Sequence, residues 1–191
     1  MRTLVLGVDP DPELWVRVPS RYPDDDAATP EEWARTVAAE RGADSAELLE
    51  RLLLDLALSE QRTADGTVYL YLPPDGAPMQ KVRLRAVPTA ELGAAVPGSP
   101  LDTAEDTVEA ENLGRGTRSM VAGLAHESTA DLLVTVVYRW DVEWVSVLLT
   151  MATLNPGEAV AMIDTLDELA HDIWVEDESG ELVTVTEAAD V

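Results

Sequence analysis

The sequence has no cysteine and no phenylalanine, a single lysine at Lys81, and two histidines, His126 and His171. Without cysteine there are no disulfides, no thiolate zinc sites and no thiol nucleophile. Imidazole chemistry is confined to two positions. Basic residues are also scarce: 13 stand against 37 acids, for a formal net charge of −24. That charge repels a phosphate backbone, so no nucleic-acid partner is expected. It also disfavours anionic membrane surfaces. No apolar run approaches the roughly 20 residues of a membrane helix. The short run at Leu4–Leu6 is soon followed by Asp9 and Asp11, too early for a signal-peptide core. A cytoplasmic location, with no membrane partner, is therefore expected.

What is present points to a packed domain. Of the 191 residues, 46% are hydrophobic, which excludes a wholly disordered acidic chain. The length suits one domain with a real core. The charge is uneven. From Trp140 to Val191 there are thirteen acids and no lysine or arginine; Arg139 is the last basic residue. Such asymmetry can mark an interaction surface, although acidic composition also serves plain solubility.

Patterning along the chain alternates between two periods. Leu4–Val8 and Leu14–Val18 read as strands around Asp9-Pro10-Asp11-Pro12. Thr29-Pro30-Glu31-Glu32 is a helix start with a capping box, and Gly42 is a natural stop. From Asp44 or Ser45 to about Glu60, Leu48, Leu49, Leu52, Leu53 and Leu56 form a wide helical stripe. Val68, Leu70 and Leu72 alternate with Tyr69 and Tyr71. Val82, Leu84 and Ala86 then alternate with Lys81, Arg83 and Arg85. The intervening Pro73-Pro74-Asp75-Gly76 makes this pair a hairpin with three cations on one face.

Pro88–Asp106 reads as a loop, and two weaker strands flank Leu113-Gly114-Arg115-Gly116. Leu132–Trp140 and Trp144–Ala152 are the clearest strands, joined by Asp141-Val142-Glu143. Asn155-Pro156-Gly157-Glu158 starts a helix to about Asp172. Its apolar side carries Met162, Ile163, Leu166, Leu169, Ala170 and Ile173. Asp164, Glu168 and Asp172 stack on the other side. Short strands are expected at Ile173–Val175 and Leu182–Thr186. The fold class is α+β: an antiparallel sheet of about six strands packed on two to three helices as one layered sandwich. It is expected to form a single domain over residues 1–191, with a frayed acidic tail from about residue 187.

Trp15-Val16-Arg17-Val18-Pro19, the late strand pair Val134–Arg139 and Val145–Thr150, the Thr153–Pro156 linker, the amphipathic helix and Ile173-Trp174-Val175 follow a recognisable order. In that order the chain resembles the PsbP-like α/β sandwich of small acidic proteins from high-GC bacteria. The resemblance implies the fold class and a non-enzymatic binding or assembly role. Residues 30–60 are more helical than that core requires, and the lipoprotein cysteine is absent.

Motifs for catalysis are missing. His126-Glu127 lacks the second histidine of a zinc protease, and there is no Gly-x-Ser-x-Gly elbow. Gly114-Arg115-Gly116 lacks the third glycine of a dinucleotide loop. Asp24-Asp25-Asp26 lacks the spacing of a calcium loop. His171 with Asp167 or Asp164 offers too few ligands along one helix for a dedicated metal site, so His171 is expected to be exposed. No catalytic residue, metal or cofactor is assigned, and the protein is read as not an enzyme.

Two features remain. Like charges at Asp164, Glu168 and Asp172 cost an isolated helix about 0.2–0.5 kcal/mol per pair, and Asp172 faces the negative end of the helix dipole. A basic partner would relieve both. Trp140 and Trp144 bracket the hairpin tip, where indoles serve either as binding hot spots or as cross-strand anchors. These five residues form the candidate partner-binding set. The expected function is that of a non-catalytic accessory protein engaging a basic protein through an acidic surface. The alternative is an inhibitor or immunity-type protein masking a nucleic-acid-binding or toxic protein. A third reading is a metal-assisted enzyme with a carboxylate-rich pocket near His126 or His171.

Overall fold

The computed structural model describes residues 4–41, 45–63, 65–74, 78–94, 102–125 and 131–183. In chain order the elements are β1 (Val5–Val8), β2 (Trp15–Val18), α1 (Pro30–Arg41), α2 (Ala46–Thr63), β3 (Thr67–Tyr71) and β4 (Gln80–Pro88). Then come β5 (Asp102–Ala110), β6 (Gly114–Leu124), β7 (Leu132–Val142), β8 (Val145–Thr153), α3 (Pro156–Ala161), α4 (Ile163–His171) and β9 (Ile173–Glu176). The class is α+β. Seven strands follow the hydrogen-bonded order β2-β3-β4-β8-β7-β6-β5, and β1 pairs separately with β9. The large sheet is open rather than closed, and its strand count exceeds the expected six. By contacts the chain divides into two compact units: Asp11–Arg83, and Met1–Pro10 with Leu84–Val191.

In the Asp11–Arg83 unit, α1 begins as its sequence requires. The Thr29 hydroxyl accepts from the Glu32 N–H at 3.2 Å, and Glu32 reaches back to the Ala28 N–H at 2.9 Å. Trp33, Ala34, Val37 and Ala38 of α1 join Leu53 and Ala57 of α2 and Val68, Leu70 and Leu72 in one apolar core. The buried line of α2 is Leu53, Ala57 and Glu60, at helical spacings of four and three. Leu48 and Leu52, expected in the core, are 61% and 46% exposed. Five leucines span a wider arc than one packing partner can cover. Gly42 and Asp44 lie outside the described residues.

In the other unit, β5 to β8 form an antiparallel meander with continuous register. Val134, Val136, Tyr138, Val145, Val147, Leu149 and Met151 are buried on one face, as their alternation requires. The expected loop over Pro88–Asp106 is instead a short 3-10 turn at Thr89–Ala94, with β5 already under way from Asp102. Residues Thr103–Thr107 are exposed and, apart from Ala104, polar, so nothing in their hydropathy marks a strand. Pairing with β6 supplies the order, and an edge strand tolerates such residues.

The late helix starts where Asn155 caps it, its side chain accepting from the Gly157 N–H at 3.0 Å. The Glu158 carboxylate takes the Asn155 amide at 3.1 Å and the Thr153 hydroxyl at 3.0 Å. The expected continuous helix to Asp172 is interrupted at Met162, whose φ of −85° and ψ of −8° depart from helical values. Its N–H still reaches Glu158 O at 3.0 Å, and its carbonyl accepts from Leu166 at 2.8 Å. The apolar side therefore stays continuous, with Met162, Leu166, Leu169 and Ala170 all buried. Of the expected end strand at Leu182–Thr186, Leu182 pairs with Glu176 in an antiparallel bridge, and the part from residue 184 onward lies outside the described residues.

Candidate functional site

α4 is held by a polar contact that the strand register prepares. Arg118 on β6 faces Asp106 on β5 and Tyr138 on β7 as direct cross-strand partners. The row therefore lies on one face of the sheet. Arg118 donates to both Asp167 oxygens at 2.9 and 2.7 Å and to Asp106 at 2.9 Å. The Tyr138 hydroxyl donates to Asp167 at 2.5 Å. Tyr138 is fully buried. Burial, then its hydrogen bond to the Asp167 carboxylate, raises its pKa well above the ordinary tyrosine range. The Arg118 guanidinium is held charged, chiefly by hydrogen bonding to Asp106.

This contact sorts the acids of α4. Asp167 borders the apolar side and turns to Arg118. Asp164 and Glu168 point outward and are exposed. Among the described residues no ion pair engages either of them. Asp172, the third member of the stripe, lies one residue past the helix as its C-cap and is also exposed, 3.1 Å from His171 Nδ1. The structure thus leaves all three stripe acids on the surface.

Tyr138→Phe is expected to cost about 1.5 kcal/mol, the low end for a hydrogen bond to a charged group, because Arg118 still satisfies Asp167. Asp164→Asn with Glu168→Gln should leave stability unchanged within about 0.5 kcal/mol. Urea unfolding of the two variants side by side checks both.

The two tryptophans separate. Trp140 has no exposed surface, stacks on Tyr138 with centroids 6.1 Å apart, and donates its indole N–H to Gly114 O at 3.2 Å. It is an internal anchor and is withdrawn from the partner-binding set. Period two explains this: Trp140 shares the face of Val136 and Tyr138 that the core covers. Trp144 is 42% exposed. It sits in the turn itself, since Val142 pairs with Val145 and the loop is Glu143-Trp144. Glu143 takes φ +51° there, the left-handed value that tight hairpins require at the first turn position.

The cations of β4 are occupied. Glu60 on α2 is 4% exposed and receives Arg83 at 2.6 Å, Lys81 at 3.4 Å and the Thr63 hydroxyl at 3.1 Å. Burial alone raises the Glu60 pKa, but the Arg83 hydrogen bond and the charges of Arg83 and Lys81 outweigh it, and the net direction is down. Arg139 is likewise spent on Asp141, with two contacts of 2.8 Å. Ser146 donates to the same carboxylate from a fully buried position.

Sequence reasoning missed one juxtaposition. Glu111, in the β5–β6 turn, lies beside His171 and Asp172 at the end of α4. Sixty residues separate Glu111 from His171, so no local pattern announces it. His171 is exposed, as expected, whereas His126 lies outside the described residues. Among the described residues no helix is long and apolar enough to cross a membrane. No protein family, curated protein or solved structure matches the chain.

Proposed function

We propose that this is a non-catalytic accessory protein of the cytoplasm that binds a basic protein partner. The contact is the outward side of α4, Asp164 and Glu168 continued by Asp172, with the exposed Trp144 as a further anchor on the hairpin tip. One observation carries the reading. Arg118 neutralises the inward acid Asp167, while Asp164 and Glu168, one turn apart and exposed, hold no ion pair among the described residues. A basic surface would supply the missing charge. Such complementarity acts mainly on association rate and specificity. A binding or assembly role also accords with the PsbP-like resemblance.

The test is affinity capture by the intact protein at low salt and again at about 0.5 M salt, where charges further apart than a few ångströms are screened. A basic protein is expected to be retained only at low salt. Asp164→Asn/Glu168→Gln/Asp172→Asn should reduce capture about tenfold. Glu40→Gln/Glu47→Gln/Asp55→Asn, three exposed acids of the other unit, changes net charge equally and should leave capture intact. Equal losses in the two triple variants, or no retained protein, would reject the assignment to α4.

A further inference from the structure

The C-terminal end of α4 is tied to the β5–β6 turn by the main chain: the Glu111 N–H donates to His171 O at 3.1 Å. With the backbones pinned, Glu111, His171 and Asp172 each place one ligand atom so that all three lie within 4.8 Å of one another. Between two of these residues, His171 Nδ1 and Asp172 Oδ1 are 3.1 Å apart. Two donors on a tetrahedral metal with bonds of about 2.1 Å stand about 3.4 Å apart. One edge of such a polyhedron is therefore already formed. The widest separation needs to close by no more than about 1.4 Å to reach that edge, within the reach of side-chain rotation.

We propose that Glu111, His171 and Asp172 form a binding site for a divalent metal ion of the zinc class. The donor set is one imidazole nitrogen and two carboxylates, which suits zinc and its transition-metal neighbours. Magnesium and calcium prefer all-oxygen shells. Two features of the surroundings favour a cation. The site lies at the carbonyl end of α4, where the helix dipole is negative, and the chain carries a net charge of −24. Three protein ligands leave the fourth position open to water or to a donor from a partner. All three residues are exposed, so the ion reaches them directly. This inference goes beyond the proposed partner contact and does not depend on it.

The test uses the intact protein freed of metal with a chelator. Zinc chloride is titrated by calorimetry, and the two histidine rings are followed by NMR. One zinc per chain is expected, with the His171 ring signals shifting and those of His126 unmoved. His171→Ala and Glu111→Gln should each weaken binding about tenfold or more, with unchanged urea unfolding in the absence of metal. Asp164→Asn/Glu168→Gln should bind zinc as the natural protein does, and excess magnesium should not compete. Absence of saturable zinc binding would overturn the site. So would binding that survives His171→Ala, or equal competition by magnesium. Because Asp172 belongs to both sets, the proposed function is tested separately by protein capture with Asp164→Asn/Glu168→Gln, which changes no ligand, and with His171→Ala and Glu111→Gln, which leave the stripe intact.

Discussion

Arg83→Met is expected to destabilise the Asp11–Arg83 unit by about 3 kcal/mol, because removing one partner of a buried ion pair strands the other. The stranded group is Glu60, at 4% exposure. Lys81 at 3.4 Å and the Thr63 hydroxyl remain, which keeps the loss at the lower end of what a buried carboxylate inflicts. Replacing both members tests the cause. Glu60→Leu with Arg83→Met should be more stable than Arg83→Met alone, since the buried charge has gone and apolar side chains fill the space. Equal stability of the single and double variants would mean that the salt bridge is not the reason. The pH response has a definite sign. The Glu60 pKa is lower in the folded state than its ordinary value. Its contribution is therefore complete above the ordinary glutamate range and disappears as pH falls through the lowered value. Arg83→Met should flatten that acid limb in urea unfolding measured from neutral pH downward.

Gly116→Ala is expected to cost about 3 kcal/mol, the upper part of the range for forcing extra atoms into a packed core. A β-carbon at position 116 would stand 2.5 Å from Trp140 Nε1 and 2.7 Å from the Arg139 carbonyl oxygen. The first atom belongs to a fully buried indole stacked on Tyr138 and the second to backbone, so neither yields easily. The same displacement would break the indole hydrogen bond to Gly114 O. For a chain of this size the loss corresponds to a melting temperature about 6–12 °C lower. Gly123→Ala is the control, because a β-carbon there meets nothing within 4 Å. If Gly116→Ala melts like Gly123→Ala, the indole does not lie against β6 as described.

Local patterns announce much of this architecture. Thr29–Glu32 and Asn155–Glu158 cap helices because short polar side chains next to proline satisfy free N–H groups without help from distant residues. The β7–β8 hairpin is legible because alternate apolar residues match a pleat with one covered face. The acidic stripe on α4 is legible for the same reason, since helical spacing is a local property.

Other features depend on what packs against each element. Leu48 and Leu52 have the same hydropathy as Leu53, and only the position of the partner surface decides which is covered. Glu60 carries a weak signal: an acid in register with the buried Leu53 and Ala57, in a chain whose next hairpin bears three cations. Trp140 could be placed by counting from Tyr138 in steps of two. β5 carries no such mark, because its exposed residues, apart from Ala104, are polar and its order comes from β6.

By itself the sequence determined the α+β class, the helix starts, the main hairpin and an acidic surface without thiols. These depend on composition and on interactions spanning a few residues. Only the tertiary structure decided which acids are neutralised and which remain on the surface. Asp167 and Asp164 are three residues apart on one helix, yet only Asp167 meets Arg118. The same holds for Glu111 and His171, which become neighbours because the β5–β6 turn passes the end of α4. Electrostatic pairing acts through space at a few ångströms, and spacing along the chain does not encode that distance.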